Sequence, residues 1–366
     1  MNKNTNSRLK YDLCKHSLKK TGQFCTLLFC MSVLPSTVNA TAVLANTDFS
    51  PILIDDDEDH VIYKITGATS FADLTGEDLN DGIAPDIEEV GDYPQGYNIQ
   101  DLAKDNAGDT WALAVGLGAD GATRGHAYIG QITEDDGFYT LTDIRDLGAT
   151  YLDSGTHGLK QHGKALVWDP DNQYFIYEAN PKWNDPLKAT FKAYDPVTNS
   201  VVADPWGTGN AAMVIALPIN QTATHAQGLA FSPDGELYAA MANLPAYILK
   251  LERNSNNKLT GNSTLIGASG LGQNIRNIEA INFDSAGLMI IVVSDGGTSG
   301  GKGKVYTLDL TTLSLTEIAD LDNGFGRKRD WEGIVFNNPV FEGNSCSLES
   351  FPGPLSTTQD EIRLTG

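Results

Sequence analysis

The chain has 366 residues, with 47 acidic against 25 basic side chains and a formal net charge of −22. This excess of negative charge repels phosphate backbones and anionic lipid headgroups, which argues against nucleic acid and membrane surfaces as partners. An acidic surface suits cations, neutral glycans or a saline exterior, or serves solubility alone.

Residues 1–40 predict a secretory signal peptide. They carry six Lys and Arg side chains against one acidic residue, Asp12, followed by an apolar stretch over residues 24–34 and a small-x-small ending at Ala40. The apolar stretch is too short to span a bilayer, so we expect no membrane insertion. Cleavage after Ala40 removes six positive charges and one negative charge, which lowers the net charge from −22 to −27. We therefore expect a secreted or periplasmic protein.

Cysteine usage adds a constraint on how the mature chain is held together. Three of the four cysteines leave with the signal peptide, and Cys346 remains alone, so no intrachain disulfide is expected. A mature chain of about 325 residues then needs one large hydrophobic core or many repeated small ones.

The first predicted elements of the mature chain are strands within residues 52–66. Residues 67–97 are rich in Asp, Glu and Gly and predict a long acidic loop. Beyond this loop, helical periodicity is nearly absent, and short apolar runs alternate with Gly-containing turns. This pattern is typical of an all-β protein.

One motif recurs five times along the chain, and residues 224–238, THAQGLAFSPDGELY, are its clearest copy. Each copy has two polar side chains at alternate positions ahead of an apolar run. In the four complete copies a turn and a second apolar run follow. The second polar residue recurs at steps of 64, 63, 52 and 53 residues, at Gln100, Lys164, Gln227, Glu279 and Glu332.

Each full repeat predicts four strands, and in the third copy they cover residues 228–231, 237–241, 246–251 and 263–267. Repeats of this length with four antiparallel strands are typical of a β-propeller blade. The fifth copy ends near residue 341, so we expect the strands of residues 52–66 to complete it and to close the ring. The sequence thus predicts one propeller domain over residues 41–342, with five blades or, as the alternative, six. Residues 343–366 predict a C-terminal tail.

Because inner strands begin at the mouth of the central channel, the leading polar side chains are expected to meet there. The paired positions are Asn98 and Gln100, His162 and Lys164, His225 and Gln227, Asn277 and Glu279, and Asp330 and Glu332. The ends of the second strands add Asn180, Asn243 and Asp295.

Carboxylates this close are costly unless a cation lies between them. Oxygen donors of this kind suit a divalent metal ion, with Ca²⁺ as the expected ion. His162 and His225 would shift the preference toward Zn²⁺, Mn²⁺ or Fe. The alternative is that the polar side chains form a hydrogen-bond network between blades without any ion.

The inner-strand segments resemble the regucalcin/gluconolactonase group of propellers. The matching segments start at Gln227 (QGLAFSPDG), at Glu279 (EAINFDSAG) and at Trp331 (WEGIVF). The resemblance implies a divalent ion, often Ca²⁺, that serves the hydrolysis of lactones or related esters. By position Glu332 matches the Glu of the family, whereas Gln227 stands where Asn is usual and Glu279 where Asp is usual, each one methylene longer.

The first functional hypothesis is therefore a metal-dependent hydrolase of a small ester, lactone or phosphoester. Glu279, Glu332 and Gln227 would hold the ion. The general base would be Asp330, His225 or Asp295, and Trp331 would wall the pocket.

Two other classes of function stay open at this stage. In a polysaccharide lyase or glycosidase, His162 or His225 would abstract a proton and Lys164 would neutralise a uronate. A non-catalytic propeller would bind a glycan, a protein or an ion. We expect the protein to be a monomer, and its expected ligand is a small molecule or a glycan.

Overall fold

The structure is a computed structural model, and it describes residues 51–55, 60–68, 71–74, 79, 85–149, 164–179, 188–216, 226–241, 246–266, 275, 278–284, 287–293, 303–321, 331–335, 347–348 and 364–365. All of them belong to the unit Thr47–Gly366. The predicted signal peptide lies outside these residues, so export stays a prediction. Among the described residues, no helix is both long and apolar enough to span a membrane.

The first strands are β1 (Ile52–Asp55), β2 (Val61–Thr66) and β3 (Asp86–Asp92), with a 3-10 helix at Phe71–Leu74 between β2 and β3. The three strands pair antiparallel in chain order. Strand β3 lies within the segment that we predicted as a loop. Only Ile87 and Gly91 of β3 are buried, so its apolar pattern is weak and backbone pairing with β2 stabilises it instead.

The next four strands are β4 (Tyr97–Lys104), β5 (Thr110–Gly116), β6 (His126–Asp135) and β7 (Phe138–Ala149), each antiparallel to the one before. A short parallel pairing of β7 with β3 joins these strands to the first three. Gly91 permits this junction, since a Cβ at that position would lie 1.9 Å from the carbonyl oxygen of Tyr139.

A third group of strands consists of β8 (Leu166–Asp169), β9 (Tyr174–Glu178), β10 (Lys188–Asp195), β11 (Ser200–Val201) and β12 (Met213–Ala216). Strand β10 pairs with β9 on one side and with both β11 and β12 on the other. This outer edge is therefore shared between two short strands.

Two further groups are four-stranded antiparallel sheets, and the chain then ends in short strands. One sheet holds β13 (Ala226–Phe231), β14 (Leu237–Met241), β15 (Tyr247–Arg253) and β16 (Leu259–Ile266). The other holds β17 (Ile278–Phe283), β18 (Met289–Val293), β19 (Lys304–Asp309) and β20 (Ser314–Asp320). They are followed by β21 (Trp331–Val335) and by the paired β22 (Ser347–Leu348) and β23 (Leu364–Thr365).

Strand β21 pairs antiparallel with β1, so strands from the two ends of the fold form the last unit, β21-β1-β2-β3. This confirms the predicted closure. The inner strands contact one another in the cyclic order β4, β8, β13, β17, β21 and back to β4. The fold is therefore an all-β propeller of four-stranded antiparallel units, while the number of blades in the whole chain stays a prediction.

Glycines let neighbouring inner strands approach closely around the axis. A Cβ at Gly228 of β13 would lie 2.7 Å from the backbone nitrogen of Ile281 on β17. A Cβ at Gly333 of β21 would lie 2.6 Å from the backbone nitrogen of Leu102 on β4. Both distances are too short for any side chain, so the ring of inner strands is narrow at these points.

The hydrophobic core lies between the sheets, because each sheet buries both faces. On β14, Leu237 and Ala239 face a cluster that includes Phe191 of β10, whereas Tyr238 and Ala240 face a cluster with Phe283. Alternate residues of one strand thus enter two different clusters, as the two-residue period of a strand requires. Stacking of neighbouring sheets supplies the burial that a single sheet cannot achieve.

Arg253 at the end of β15 ties two neighbouring units together. Its Nη2 lies 3.2 Å from Oδ1 of Asp169 and 2.9 Å from Oδ2 of Asp171. Asp169 is 1% exposed; burial raises its pKa, and Arg253 and hydrogen bonds from Asn172 act in the opposite direction. The ion pair therefore offsets the cost of a buried carboxylate.

Candidate functional site

The predicted polar positions coincide with irregularities in the inner strands. The register between an inner strand and its neighbour shifts at Gln100, at Gln227 and at Glu279. Glu332 lies at the corresponding shift between β21 and β1. A bulge leaves a residue unpaired and redirects its side chain. Four inner strands therefore have a bulge at the polar residue that the repeat pattern singled out.

Two of these redirected side chains, Glu279 and Glu332, contact a lysine from another unit. Lys164, just before β8, places its Nζ 3.0 Å from Oε1 of Glu332 and 3.3 Å from Oε2 of Glu279. Nε2 of Gln227 donates to the same Oε2 of Glu279 at 2.7 Å. We call Lys164, Gln227, Glu279 and Glu332 the axial cluster. Its four members come from four different inner segments.

The axial cluster is buried. Glu279 and Glu332 are each 1% exposed and Gln227 is 3% exposed. The ammonium of Lys164 contacts both carboxylates in this place of low dielectric constant. Buried carboxylates are costly unless cations or hydrogen-bond donors compensate them, so this position favours positive charge.

Gln227 also brings a free acceptor to the axial cluster. Its Oε1 is buried and has no hydrogen-bond partner among the described residues. Its Nε2 donates to Oε2 of Glu279, so the carboxamide lies beside that carboxylate. A buried acceptor without a donor is costly, so this oxygen is suited to a ligand.

Glu178, at the end of β9, is a neighbouring acid that the sequence analysis missed. Its carboxyl group accepts the backbone N–H groups of Lys164 and Ala226. Burial raises the pKa of Glu178 to about 8, although these hydrogen bonds and the charge of Lys164 lower it in part. Its Oε1 has no partner within the described part of the chain. Glu178 therefore carries a proton near neutral pH, while it accepts the backbone N–H of Lys164.

Asp101 is a second buried acid that we did not predict. Its Oδ1 accepts the backbone N–H of Leu102 at 2.8 Å, and its Oδ2 accepts that of Leu166 at 2.7 Å. Burial raises the pKa of Asp101 well above its ordinary value, and the two backbone hydrogen bonds act against that rise. Asp101 joins inner strands β4 and β8, which indicates a structural role.

The other predicted residues divide into those that the structure describes and those that it does not. Gln100 is buried, and its Nε2 donates to the carbonyl oxygen of Ile99 at 3.4 Å. Asn98 lies on β4 and is half-buried. The placement of seven residues falls outside the described residues and stays a prediction: His162, Asn180, His225, Asn243, Asn277, Asp295 and Asp330.

Trp331 lies in the hydrophobic core. Its indole is fully buried and meets the ring of Tyr63 edge-on, with 5.2 Å between centroids. The indole also lies against Gly303, where a Cβ would come within 2.0 Å of Cδ1. The next residue, Glu332, reaches the axial cluster, so consecutive residues of β21 serve packing and polar contacts. Its role as a pocket wall stays a prediction.

The donor chemistry of the axial cluster fits a hard cation, but its geometry holds an ammonium. Two carboxylates and a carboxamide oxygen are ligands that Ca²⁺ accepts. Within the described residues, no group of three or more His, Cys, Asp or Glu side chains is arranged to hold a metal ion. The ammonium of Lys164 lies between the carboxylates, so an ion would have to take its place.

No protein-family model matches the sequence, and no curated protein matches it. Solved structures do match. A luciferin-regenerating enzyme is 12% identical with a TM-score of 0.41, covering 76% of this chain and 78% of its own. Regucalcin, a calcium-binding protein from Agrobacterium tumefaciens strain C58, is 11% identical with a TM-score of 0.39, covering 75% of each chain.

An oligogalacturonate lyase in complex with manganese is 9% identical with a TM-score of 0.34, covering 73% of this chain and 61% of its own. The similar structures thus include enzymes and proteins with divalent metal ions. At TM-scores below 0.5, these likenesses assign no activity to this chain.

Proposed function

We propose that this protein is a β-propeller hydrolase that cleaves a small ester, lactone or phosphoester at the mouth of its central channel, with a divalent metal ion held by Glu279, Glu332 and Gln227. The observation that carries the proposal is the meeting of these three side chains, each redirected by a bulge of a different inner strand. Bulges of this kind occur preferentially next to active sites.

The three side chains would supply the protein ligands of the ion. Glu279 and Glu332 offer carboxylate oxygens, and Gln227 offers its buried Oε1. Ca²⁺ takes six to eight oxygen ligands, so water and the substrate would complete the shell. When bound, such an ion polarises a carbonyl or phosphoryl oxygen and lowers the pKa of a bound water.

The chain itself orients these ligands and keeps bulk water away from them. The hydrogen bond from Gln227 fixes Oε2 of Glu279, and the burial of both carboxylates strengthens their electrostatic effect on a ligand. We propose that the general base is His225, Asp295 or Asp330, which the repeat pattern assigns to the same mouth.

A second candidate is a non-catalytic propeller that binds a glycan or a protein. The contact of Lys164 with both carboxylates favours it, since the axial cluster then holds units of the ring together without an ion. For either candidate we propose an exported monomer, and for the hydrolase we propose a small-molecule or glycan ligand.

The test is metal binding by the wild-type protein, by Glu279→Gln and by Glu332→Gln. Glu89→Gln serves as the control, because it removes the same charge from an exposed position. After dialysis against CaCl₂ or MnCl₂ and removal of free ion, elemental analysis should find about one ion per wild-type chain. Both axial variants should lose it, and the control should keep it. Metal content near zero in the wild-type protein would reject the metal-dependent mechanism.

Turnover then separates hydrolysis from the other functions. A panel of a lactone, a carboxylic ester, a phosphoester and an oligouronate should show ion-dependent cleavage of one of the first three. Cleavage of the oligouronate alone would indicate a lyase or glycosidase. Ion binding that raises the melting temperature without any turnover would indicate the non-catalytic candidate.

A further inference from the structure

We propose that Lys164 is a tethered cation that holds the metal position of the axial cluster, so that a divalent ion enters only by displacing its ammonium group. This inference deepens the proposed function and rests on its metal site. The side chain of Lys164 would thus regulate access of the ion to the site.

The distances show why ammonium and ion exclude one another. Nζ of Lys164 lies 3.0 Å from Glu332 and 3.3 Å from Glu279. An ion that uses both carboxylates would lie between the same oxygens, at about 2.3–2.6 Å from each. A divalent ion and an ammonium in contact repel strongly where the dielectric constant is low. The space between the two carboxylates therefore admits one cation at a time.

The side chain of Lys164 is placed so that it can leave. It is 15% exposed, whereas the side chains of Glu279 and Glu332 are 2% and 1% exposed. The side chain of Lys164 is thus more accessible to solvent than the two carboxylates that it contacts. The backbone of Lys164 stays anchored by its N–H on Glu178, and the long lysine stem can turn without moving the strand.

Withdrawal of the ammonium costs its charge-assisted hydrogen bonds to Glu279 and Glu332, and this cost weakens metal binding. The loss of Lys164 should remove the competition. We therefore expect Lys164→Met to bind Ca²⁺ more tightly than the wild-type protein, on the order of 30-fold. The carboxylates of that variant have no ammonium between them, so its folded state should also depend more strongly on the ion.

The experiment is isothermal titration calorimetry with CaCl₂ and with MnCl₂ on the wild-type protein and three variants. Lys164→Met removes the ammonium, and Lys164→Arg keeps the positive charge. Lys250→Met removes an equal charge from a surface ion pair with Glu236. Circular dichroism melts with and without Ca²⁺ show whether each variant is folded, and ion-dependent folding of Lys164→Met would itself report binding.

Tight binding by Lys164→Met, with weak binding by Lys164→Arg and unchanged binding by Lys250→Met, is the expected result. Equal affinity of the wild-type protein and Lys164→Met would overturn the role of Lys164 and leave the metal site standing. Failure of both proteins to bind either ion, with no effect of Ca²⁺ on the melts, would reject the metal site and this inference with it.

Discussion

The buried carboxyl group of Glu178 makes stability depend on pH, and Glu178→Gln should remove that dependence. The substitution keeps the size of the side chain and a carbonyl oxygen that can accept the backbone N–H groups of Lys164 and Ala226. The substitution removes only the ability of the side chain to bind and release a proton.

The magnitude follows from the two pKa values of Glu178. Burial raises the pKa to about 8 in the folded protein, against an ordinary value of 4.5. Between these values the folded protein holds a proton that the unfolded chain has released, so the free energy of unfolding falls as the pH rises. The stability is complete below pH 4.5 and is lost as the pH rises through 8. At about 1.36 kcal/mol per pKa unit, the loss between pH 5 and pH 7 is about 2.5 kcal/mol.

The assay is urea denaturation at a series of pH values from 5 to 8, followed by tryptophan fluorescence. Urea is uncharged and leaves the electrostatic interactions unscreened. The measured quantity is the difference in free energy of unfolding between Glu178→Gln and the wild-type protein. This difference isolates Glu178 from Asp101, whose pKa is also raised. It should shift by about 2.5 kcal/mol in favour of the variant between pH 5 and pH 7.

The exposed Glu89→Gln is the matched control, and its difference from the wild-type protein should stay constant over the same range. A difference for Glu178→Gln that is also constant within about 0.5 kcal/mol would refute the reasoning. It would mean that Glu178 titrates alike in the folded and unfolded chains, so that burial does not control its proton.

Two further predictions concern the propeller frame. Arg253→Met leaves the buried carboxylate of Asp169 without its guanidinium, so urea denaturation should show a loss of about 3 kcal/mol, whereas the exposed Arg145→Met should cost less than about 0.5 kcal/mol. Equal losses would contradict the role of the buried ion pair. Gly228→Ala would place a Cβ 2.7 Å from the backbone nitrogen of Ile281. Thermal melts of this variant should therefore show about 2 kcal/mol of destabilisation. An unchanged melting temperature would show that the inner strands can move apart.

The strand pattern could be predicted because each strand carries its own local signal. In the third repeat we predicted strands over residues 228–231 and 237–241, and β13 and β14 occupy Ala226–Phe231 and Leu237–Met241. The fourth strand of that sheet begins at Leu259, four residues before the predicted start. The predicted start was too late because the exposed face of this strand is polar. Strand β3 was missed for a related reason, since pairing with β2 stabilises it more than apolar side chains do.

The buried acids Asp101 and Glu178 needed the tertiary structure. Glu178 directly continues the fully buried run of β9, and a carboxylate at such a place is a signal that could have been noticed. Asp101 gives no comparable signal, because its partner Leu166 lies 65 residues away. The bulges are likewise a property of strand pairing, which no single segment of sequence displays.

Short-range residue patterns were enough to predict the β-class of the fold, the repeat and the polar residue that leads most inner strands, because apolar periodicity and turn residues act over a few positions. The position of Lys164 between Glu279 and Glu332 could not be predicted in this way, because these residues are 115 and 168 residues further along the chain. That contact depends on closure of the ring, and closure depends on pairing of β21 with β1 from the opposite end of the fold. Local patterns specify the strands, whereas the arrangement of the inner strands around the axis determines that the ammonium of Lys164 lies between the two carboxylates.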